Sequence, residues 1–281
     1  MFPLRRLFLN PIMALALVAP LGASAQTSEP AAPSSQATPA PSEPEPEAAP
    51  ANQDDEWHVQ VTPFAWLPKT RLNVSYGDRS LNREITPSQA ISDLQFAVAG
   101  QIAAQKGPWG ITGEGLYANL ADDVQFRNVS GSLRSNMTLL QASGSYRFLD
   151  EDGFTLDGVA GLRFYDFGFN NSFTRDGIIF TQSFDARRSR SWVDPLIGLR
   201  STIPFNKDFN LNLYGDVGGF GVGSDFSWRA QAVFGYNVSD AVSLNLGYSA
   251  LGARYQQGSG ANLFKIDFTN YGPVIGATFK L

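Results

Sequence analysis

Residues that could perform acid–base or nucleophilic chemistry are scarce in this 281-residue chain, which has one histidine, His58, and no cysteine. A Ser-His-acid mechanism needs a histidine beside its nucleophile, and a thiolate nucleophile needs a cysteine. Asp122, Asp123 and Asp166 could supply an acid pair, but adjacent acids in a loop are usually solvated. We therefore expect no catalytic residue, no metal ligand and no cofactor, and predict that the chain is not an enzyme.

Three arginines stand close together before Trp192, at Arg187, Arg188 and Arg190. A guanidinium group presents a planar fork of donors that matches the oxygens of a phosphate. The segment is therefore either a phosphate-binding surface or a run of solvated loop charges, and both readings stay open.

The first 56 residues differ in composition from the rest. Residues 1–25 combine Arg5 and Arg6, an apolar stretch and Ala23-Ser24-Ala25, which is typical of a cleaved secretory signal. Residues 26–56 hold seven of the 17 prolines and seven acids without a base. We expect this second segment to be a disordered, acidic Pro/Ala-rich periplasmic linker that could reach peptidoglycan or a periplasmic protein.

The remaining part, residues 57–281, is expected to fold as one unit. It carries 19 acidic and 19 basic residues, so the formal charge of −5 comes from the segments before it. A neutral folded part gives no electrostatic reason to expect a nucleic-acid partner.

Alternation of apolar and polar residues dominates this part. In residues 209–217, for example, Phe209, Leu211 and Leu213 fall on one parity and Asn210 and Asn212 on the other. A period of two indicates strands with one apolar and one polar face. The predicted strands are 57–67, 94–106, 108–120, 134–148, 154–167, 190–203, 207–219, 226–237, 241–252 and 264–281.

Such strands fit either a soluble sandwich or a closed transmembrane barrel. Their length, the aromatic residues at their ends and the alternation of short with long connections, such as 121–132 and 168–189, favour the barrel. We predict an all-β, closed antiparallel transmembrane β-barrel of about 10 strands, with short periplasmic turns and longer outer loops. Counts of eight and twelve strands remain as alternatives, because 70–77 is either a hairpin extension or an extra strand. Residues 87–94 predict one or two helical turns.

Four segments carry a resemblance: P-F-A-W-L-P (63–68), W-V-D-P-L-I-G-L-R (192–200), G-D-V-G-G-F-G-V-G-S (215–224) and Y-G-P-V-I-G (271–276). They resemble a widespread family of uncharacterised Gram-negative outer-membrane β-barrel proteins over most of residues 57–281. The resemblance implies a barrel in the outer membrane, and it brings no established activity. The C-terminal strand is similar to the signal that the barrel-assembly machinery reads.

If the apolar parity faces lipid, the other parity supplies a balanced set of charges to the lumen. They are Glu114, Asp157, Asp194, Asp216 and Asp267 against Arg147, Arg163, Arg200, Arg229 and Lys265. Charges in a narrow lumen need partners, because unpaired burial is costly.

Two functions follow from this set of charges. The first is a structural or interaction role for a barrel whose lumen is largely plugged by charges. The second is a narrow porin-like channel for small solutes. A lipid-modifying enzyme of the outer leaflet ranks third. The arginines at 187, 188 and 190 are expected at the outer rim, where lipopolysaccharide would supply the phosphates.

Overall fold

The computed structural model describes residues 56–77, 79–126, 129–176 and 181–281, which form one antiparallel sheet closed on itself. The expected signal segment, and the expected linker up to residue 55, lie outside the described residues. The strands are β1 His58–Trp66, β2 Lys69–Tyr76, β3 Arg79–Ile85, β4 Leu94–Lys106, β5 Trp109–Phe126, β6 Val129–Glu151, β7 Phe154–Asp176, β8 Thr181–Pro204, β9 Phe209–Gly218, β10 Phe226–Asn237, β11 Val242–Gln257 and β12 Phe264–Lys280.

The ring of the barrel consists of ten strands, β1 and β4 to β12. Each pairs with its neighbour in the chain, and β1 closes the ring by pairing with both β4 and β12. The predicted ten-stranded antiparallel barrel is therefore confirmed.

A hairpin formed by β2 and β3 extends the wall beyond β1. After Leu67 and Pro68, β2 continues along β12 from Lys69 opposite Tyr271 to Tyr76 opposite Phe264. The amide of Leu67 donates to the carbonyl of Pro273 at 3.0 Å and keeps this ladder continuous. The segment 70–77 is thus a hairpin extension and not a further strand of the ring.

A short helix, α1 Pro87–Ser92, links β3 to β4. Thr86 caps it: the Thr86 hydroxyl accepts from the Gln89 amide at 3.4 Å, and the Gln89 side chain accepts from the Thr86 amide at 3.0 Å. This reciprocal capping box and the proline in the first turn explain why the helix begins there. Among the described residues, no helix is long and apolar enough to cross a membrane.

The wall is uneven in height because β5 to β8 are much longer than predicted. They contain 18, 23, 23 and 24 residues, whereas β9 and β10 contain 10 and 12. The predicted loops 121–132 and 168–189 are mostly continued hairpin, with Asp122 opposite Leu133 and Phe173 opposite Phe184. The prediction of loops there was wrong because backbone pairing continues beyond the point where apolar alternation ends.

The outer surface of the barrel is an apolar belt, as the alternation predicts. Two aromatic pairs of adjacent strands, Trp109 with Tyr146 and Phe209 with Tyr236, each have ring centroids 4.8 Å apart. They lie near the short turns that connect β4 to β5 and β8 to β9. The other exposed apolar side chains of this belt include Ile102, Ile111, Leu162, Ile197, Leu246 and Ile275.

Candidate functional site in the barrel lumen

The inward-facing side chains form three layers, which appear in the same order on several strands. On β7, Asp157 lies nearest the short turns, Arg163 lies in the middle, and Tyr165 lies two residues further up. On β8 the same order runs from Arg200 through Asp194 to Trp192. Arg163 and Tyr165 are two residues apart, or roughly 7 Å along the strand, whereas Asp157 and Arg163 are six residues apart, or roughly 20 Å, so the lowest layer is several side chains deep.

The lowest layer surrounds a cavity of about 310 Å³, here called the lower cavity. It extends from His58 and Gln105 near the short turns up to Glu114 and Arg229. Half of the residues in its wall carry amide or hydroxyl side chains, including Gln60, Gln101, Thr112, Ser143, Thr202 and Asn212.

One carboxylate in this wall serves two arginines. Asp157 is buried; its Oδ1 accepts from Arg147 Nε at 3.1 Å, and its Oδ2 accepts from Arg200 Nη2 at 2.7 Å. Both contacts join Cα partners of neighbouring strands, so the ladder register itself brings the charges together. Arg147 also reaches the exposed Asp150 at 3.1 Å, and Arg200 donates to Ser145 at 3.0 Å.

Above the lower cavity lies the charge layer, defined by Glu114, Gln141, Arg163, Asp216 and Arg229. Arg163 is fully buried and is paired with Asp216 from β9. It also donates two hydrogen bonds to Gln141 Oε1, at 2.9 and 2.7 Å. A buried guanidinium is stabilised by an acid and by hydrogen-bond acceptors, and here Nε and Nη2 have them, whereas Nη1 is buried without a hydrogen-bond partner among the described residues.

The second ion pair of the charge layer crosses the lumen. Glu114 on β5 and Arg229 on β10 meet at 2.7 Å, and these strands stand five places apart in the ring of ten. Arg229 faces Asp216 in the β9–β10 ladder, yet its guanidinium donates to Glu114 on the opposite wall. The pair therefore spans the barrel and divides the lower cavity from the space above it.

The aromatic plug fills the lumen above the charge layer. Trp192 stacks on Tyr165, Phe167 and Tyr255, with centroid distances of 5.0, 5.6 and 4.6 Å. Phe268 adds edge contacts to Tyr165 and Phe167. Leu139, Leu251, Ala253 and Ile266 complete this buried cluster. A void between the plug and the charge layer measures about 10 Å³, no more than one water would need.

The turn between β9 and β10 is fixed to the plug by Ser224. Trp192 Nε1 donates to Ser224 Oγ at 2.8 Å, and the Ser224 amide donates to Asp194 Oδ1 at 2.6 Å. Gly223 permits this approach, because a Cβ there would lie 2.6 Å from Asp194 Oδ1. Asp194 is fully buried, and its described role is to hold this turn.

Two of the predicted lumen charges do not face the lumen. Lys265 and Asp267 are exposed on the outer side of β12, while Ile266 and Phe268 between and beside them are buried inside. Asp267 pairs with the exposed Arg254 at 3.4 Å. The prediction was wrong because β12 rises above the apolar belt, where its outward parity becomes polar and its inward parity packs into the plug.

The structure places the remaining candidates apart from one another. His58 begins β1 at the mouth of the lower cavity, whereas Asp166 lies high on β7, on the parity opposite to Tyr165. Asp122 and Asp123 belong to the upper part of β5, and their side chains fall outside the described part. Within the part of the chain that is described, no three His, Cys, Asp or Glu side chains converge on a possible metal position.

The predicted arginine cluster lies in the upper part of β8. Arg187 and Arg188 pair with Asn170 and Phe169 in the ladder, and their side chains are not among those described. Arg190 is exposed, with its guanidinium carbon 5.9 Å from the ring centroid of Phe264.

Sequence reasoning missed the aromatic plug, although a signal was present. Phe164-Tyr165 and Trp192-Val193 place large apolar residues on both parities of a strand. A strand that is apolar on both faces is covered on both, so one face had to pack inside the barrel.

Comparison with known proteins identifies the fold. No family model matches the chain, and no curated protein matches its sequence. The outer membrane protease OmpT from Escherichia coli aligns with a TM-score of 0.52 and 11% identity, covering 83% of this chain and 99% of that chain. The fold is that of an outer-membrane β-barrel.

Two further solved structures align with the chain at lower TM-scores. The translocator domain of the autotransporter NalP from Neisseria meningitidis aligns with a TM-score of 0.44 and 11% identity, over 80% of this chain and 88% of that one. Ail, the attachment invasion locus protein of Yersinia pestis, aligns with a TM-score of 0.32 and 11% identity, over 80% and 99%.

The comparison also corrects the prediction that this outer-membrane barrel is not an enzyme. A protease shares the fold, so the scarcity of histidine and cysteine was no sufficient ground for that exclusion. At 11% identity the likeness shows the fold alone, and no protease activity transfers with it.

Proposed function

We propose that this outer-membrane barrel has a structural or interaction role in the envelope and that its own side chains plug its lumen. The observation that carries the proposal is the Glu114–Arg229 pair, which joins opposite walls at 2.7 Å directly beneath the aromatic plug. Small barrels are commonly filled by side chains in this way.

The energetics of the charge layer support a closed lumen. Arg163 and Asp216 are fully buried and paired, and the side chains of Glu114 and Arg229 are 10% and 9% exposed. Separating such a pair to admit an ion would leave two charges without partners in a low-dielectric space. A permeating ion would also have to pass the stacked rings of Trp192 and Tyr165.

Conductance in planar bilayers tests the proposal. The refolded chain should show no steady open-channel current, and Arg254→Gln, a change at an exposed ion pair on the outer side, should leave it closed. A steady current from the unaltered protein would contradict the proposal that side chains close the lumen.

The second candidate is a narrow porin-like channel, and the lower cavity favours it. A space of about 310 Å³ with a polar wall already occupies the lower part of the lumen. In that case Glu114→Gln and Arg229→Gln should shift the ion selectivity in opposite directions, because charged constrictions select by sign.

Lipopolysaccharide contact at the outer rim is proposed for Arg187, Arg188 and Arg190. The exposed guanidinium of Arg190 beside Phe264 supports it, because phosphate oxygens match this donor fork. Changing all three residues to Gln should lower the lipopolysaccharide that copurifies with the protein, whereas Arg254→Gln should not. Equal amounts in both variants would refute the contact.

A further inference from the structure

The lower cavity is built like a binding site for a polar molecule. Its volume of about 310 Å³ lies at the small end of the range for ligand pockets, roughly 300–1,000 Å³. Half of the residues that line it offer neutral hydrogen-bonding groups, among them Gln60, Gln101, Ser143 and Asn212. Short turns face the periplasm in this fold, so the mouth beside His58 opens to that compartment.

The charges that line the lower cavity do not balance. Among the described lining residues, Arg147, Arg200 and Arg229 face two carboxylates, Glu114 and Asp157. Glu114 is engaged by Arg229, which leaves Asp157 to serve two guanidinium groups. The cavity wall therefore carries one excess positive charge.

Asp150 offsets this excess only weakly. It contacts Arg147 at 3.1 Å, but its side chain is 55% exposed and does not line the cavity. Water and salt screen an exposed pair of this kind, so little of its field reaches the interior.

Arg200 is the group best placed to meet an anion. Its side chain is 28% exposed although it points into the barrel, so the exposed part faces the cavity. Nε and Nη2 are held by Asp157 and Ser145, which fixes the plane of the guanidinium group. Nη1 makes a long contact of 3.4 Å with Thr112 Oγ1, which a carboxylate oxygen would replace with a shorter, charge-assisted hydrogen bond.

We propose that the lower cavity binds a small hydroxylated monocarboxylate from the periplasm. The carboxylate lies against Arg200 and cancels the excess charge, and the hydroxyl groups bond to the amide and hydroxyl side chains of the wall. A molecule the size of a sugar acid suits the volume. This site goes beyond the structural role proposed above, because it needs only the cavity beneath the charge layer.

Binding of gluconate to the refolded full chain in detergent at low ionic strength tests the proposal. Glucose supplies the hydroxyl groups without the charge, and acetate supplies the charge without the hydroxyl groups. Saturation-transfer NMR and calorimetry should show gluconate binding about ten-fold or more tighter than either, since a charge-assisted hydrogen bond is worth at least ~1.4 kcal/mol.

Two variants localise the binding. Arg200→Gln removes the excess charge but leaves Asp157 paired with Arg147, and it should weaken gluconate about ten-fold or more. Thr112→Asp places a carboxylate of the protein beside Arg200 and should abolish binding. Arg254→Gln, 66% exposed on the outer side, is the matched control and should bind as the unaltered protein does.

Every result decides for or against the site. Equal affinity for glucose and gluconate would overturn recognition of charge, and equal affinity for acetate and gluconate would overturn recognition of the hydroxyl groups. No binding of gluconate would overturn the site itself. Unchanged affinity in Thr112→Asp would show that Arg200 is not the anchor. Heat-modifiable migration on gels identifies folded variants, and if Arg200→Gln fails to fold, Thr112→Asp decides.

Discussion

Arg229 on β10 donates to Glu114 on β5 at 2.7 Å, across the full width of the lumen. Their backbone positions lie on opposite walls, and each has other polar neighbours on its own wall. The guanidinium carbon of Arg229 also lies 5.6 Å from the ring centroid of Tyr214 on the neighbouring strand β9. The pair is therefore a cross-brace between two halves of the barrel.

Removing one end of this brace should cost more than removing both. Glu114→Gln leaves Arg229 without its acid in a nearly closed space, and we expect a loss of roughly 3 kcal/mol in the free energy of unfolding. The double variant Glu114→Gln/Arg229→Gln should recover part of that loss, because no unpaired charge remains. Urea unfolding in lipid vesicles measures the free energy of unfolding of each single variant and of the double variant. If the losses of the two single variants add up to the loss of the double variant, the brace is contradicted.

A second prediction concerns Trp192 in the aromatic plug. Trp192→Ala removes three ring contacts and the hydrogen bond to Ser224, so it should destabilise the barrel by about 3 kcal/mol or more. Trp109→Ala is the control, because Trp109 is 64% exposed on the apolar belt. The temperature at which the folded band disappears on gels compares the two, and an equal shift would show that the plug adds no special stability.

Much of the lumen could be predicted from the sequence because alternation assigns each residue to a face. Asp157, Arg163, Asp216 and Arg229 fall on the inward parity for that reason. Their pairing could not be predicted, because a one-dimensional pattern does not show which side chains reach across a closed ring. Arg163 faces Asp194 in the ladder but pairs with Asp216, one strand further on.

The predictions that the structure contradicts concern the upper end of the barrel wall, and they share one physical cause. Alternation reports the boundary between lipid and lumen, and above the apolar belt that boundary no longer exists. For this reason the alternation predicts Lys265 and Asp267 on the inner face, and it predicts loops where β5 to β8 form long hairpins. Backbone hydrogen bonds, which continue upwards in those hairpins, leave no mark in the residue types.

The β2–β3 hairpin should respond to pH through Lys69 and Glu84, which meet at 2.6 Å. The hydrogen bond from Lys69 lowers the pKa of Glu84 below its ordinary 4.5, and the same bond raises the pKa of Lys69 above 10.5. The stabilising contribution of Glu84 is thus present above pH 4.5 and is lost as the pH falls. That of Lys69 is present below pH 10.5 and is lost as the pH rises.

Hydrogen exchange of the β3 amides measures this response. Corrected for intrinsic rates, protection should fall on acidification from pH 6 to pH 3 in the unaltered chain. Glu84→Gln should be less protected at pH 6 and should change little on acidification. An equal acid response in both proteins would assign the effect to other groups.

The turn between β9 and β10 offers a prediction at Gly223. A Cβ there would lie 2.3 Å from the Val193 carbonyl oxygen and 2.9 Å from Trp192 Cδ1. Gly223→Ala should therefore displace the turn and cost roughly 1–3 kcal/mol. Gly113→Ala is the matched control, because nothing lies within 4 Å of its added Cβ. Equal thermal midpoints for the two variants would contradict the tight approach at Gly223.

The cross-brace also constrains how the barrel assembles. Glu114 and Arg229 are 115 residues apart in the chain, so one of them is inserted long before its partner, from whichever end insertion begins. Until then the waiting charge must keep its hydration, since a bare charge in lipid is costly. Assembly therefore passes through an intermediate in which the middle of the lumen still holds water, and this water can leave only when β5 and β10 are both in place.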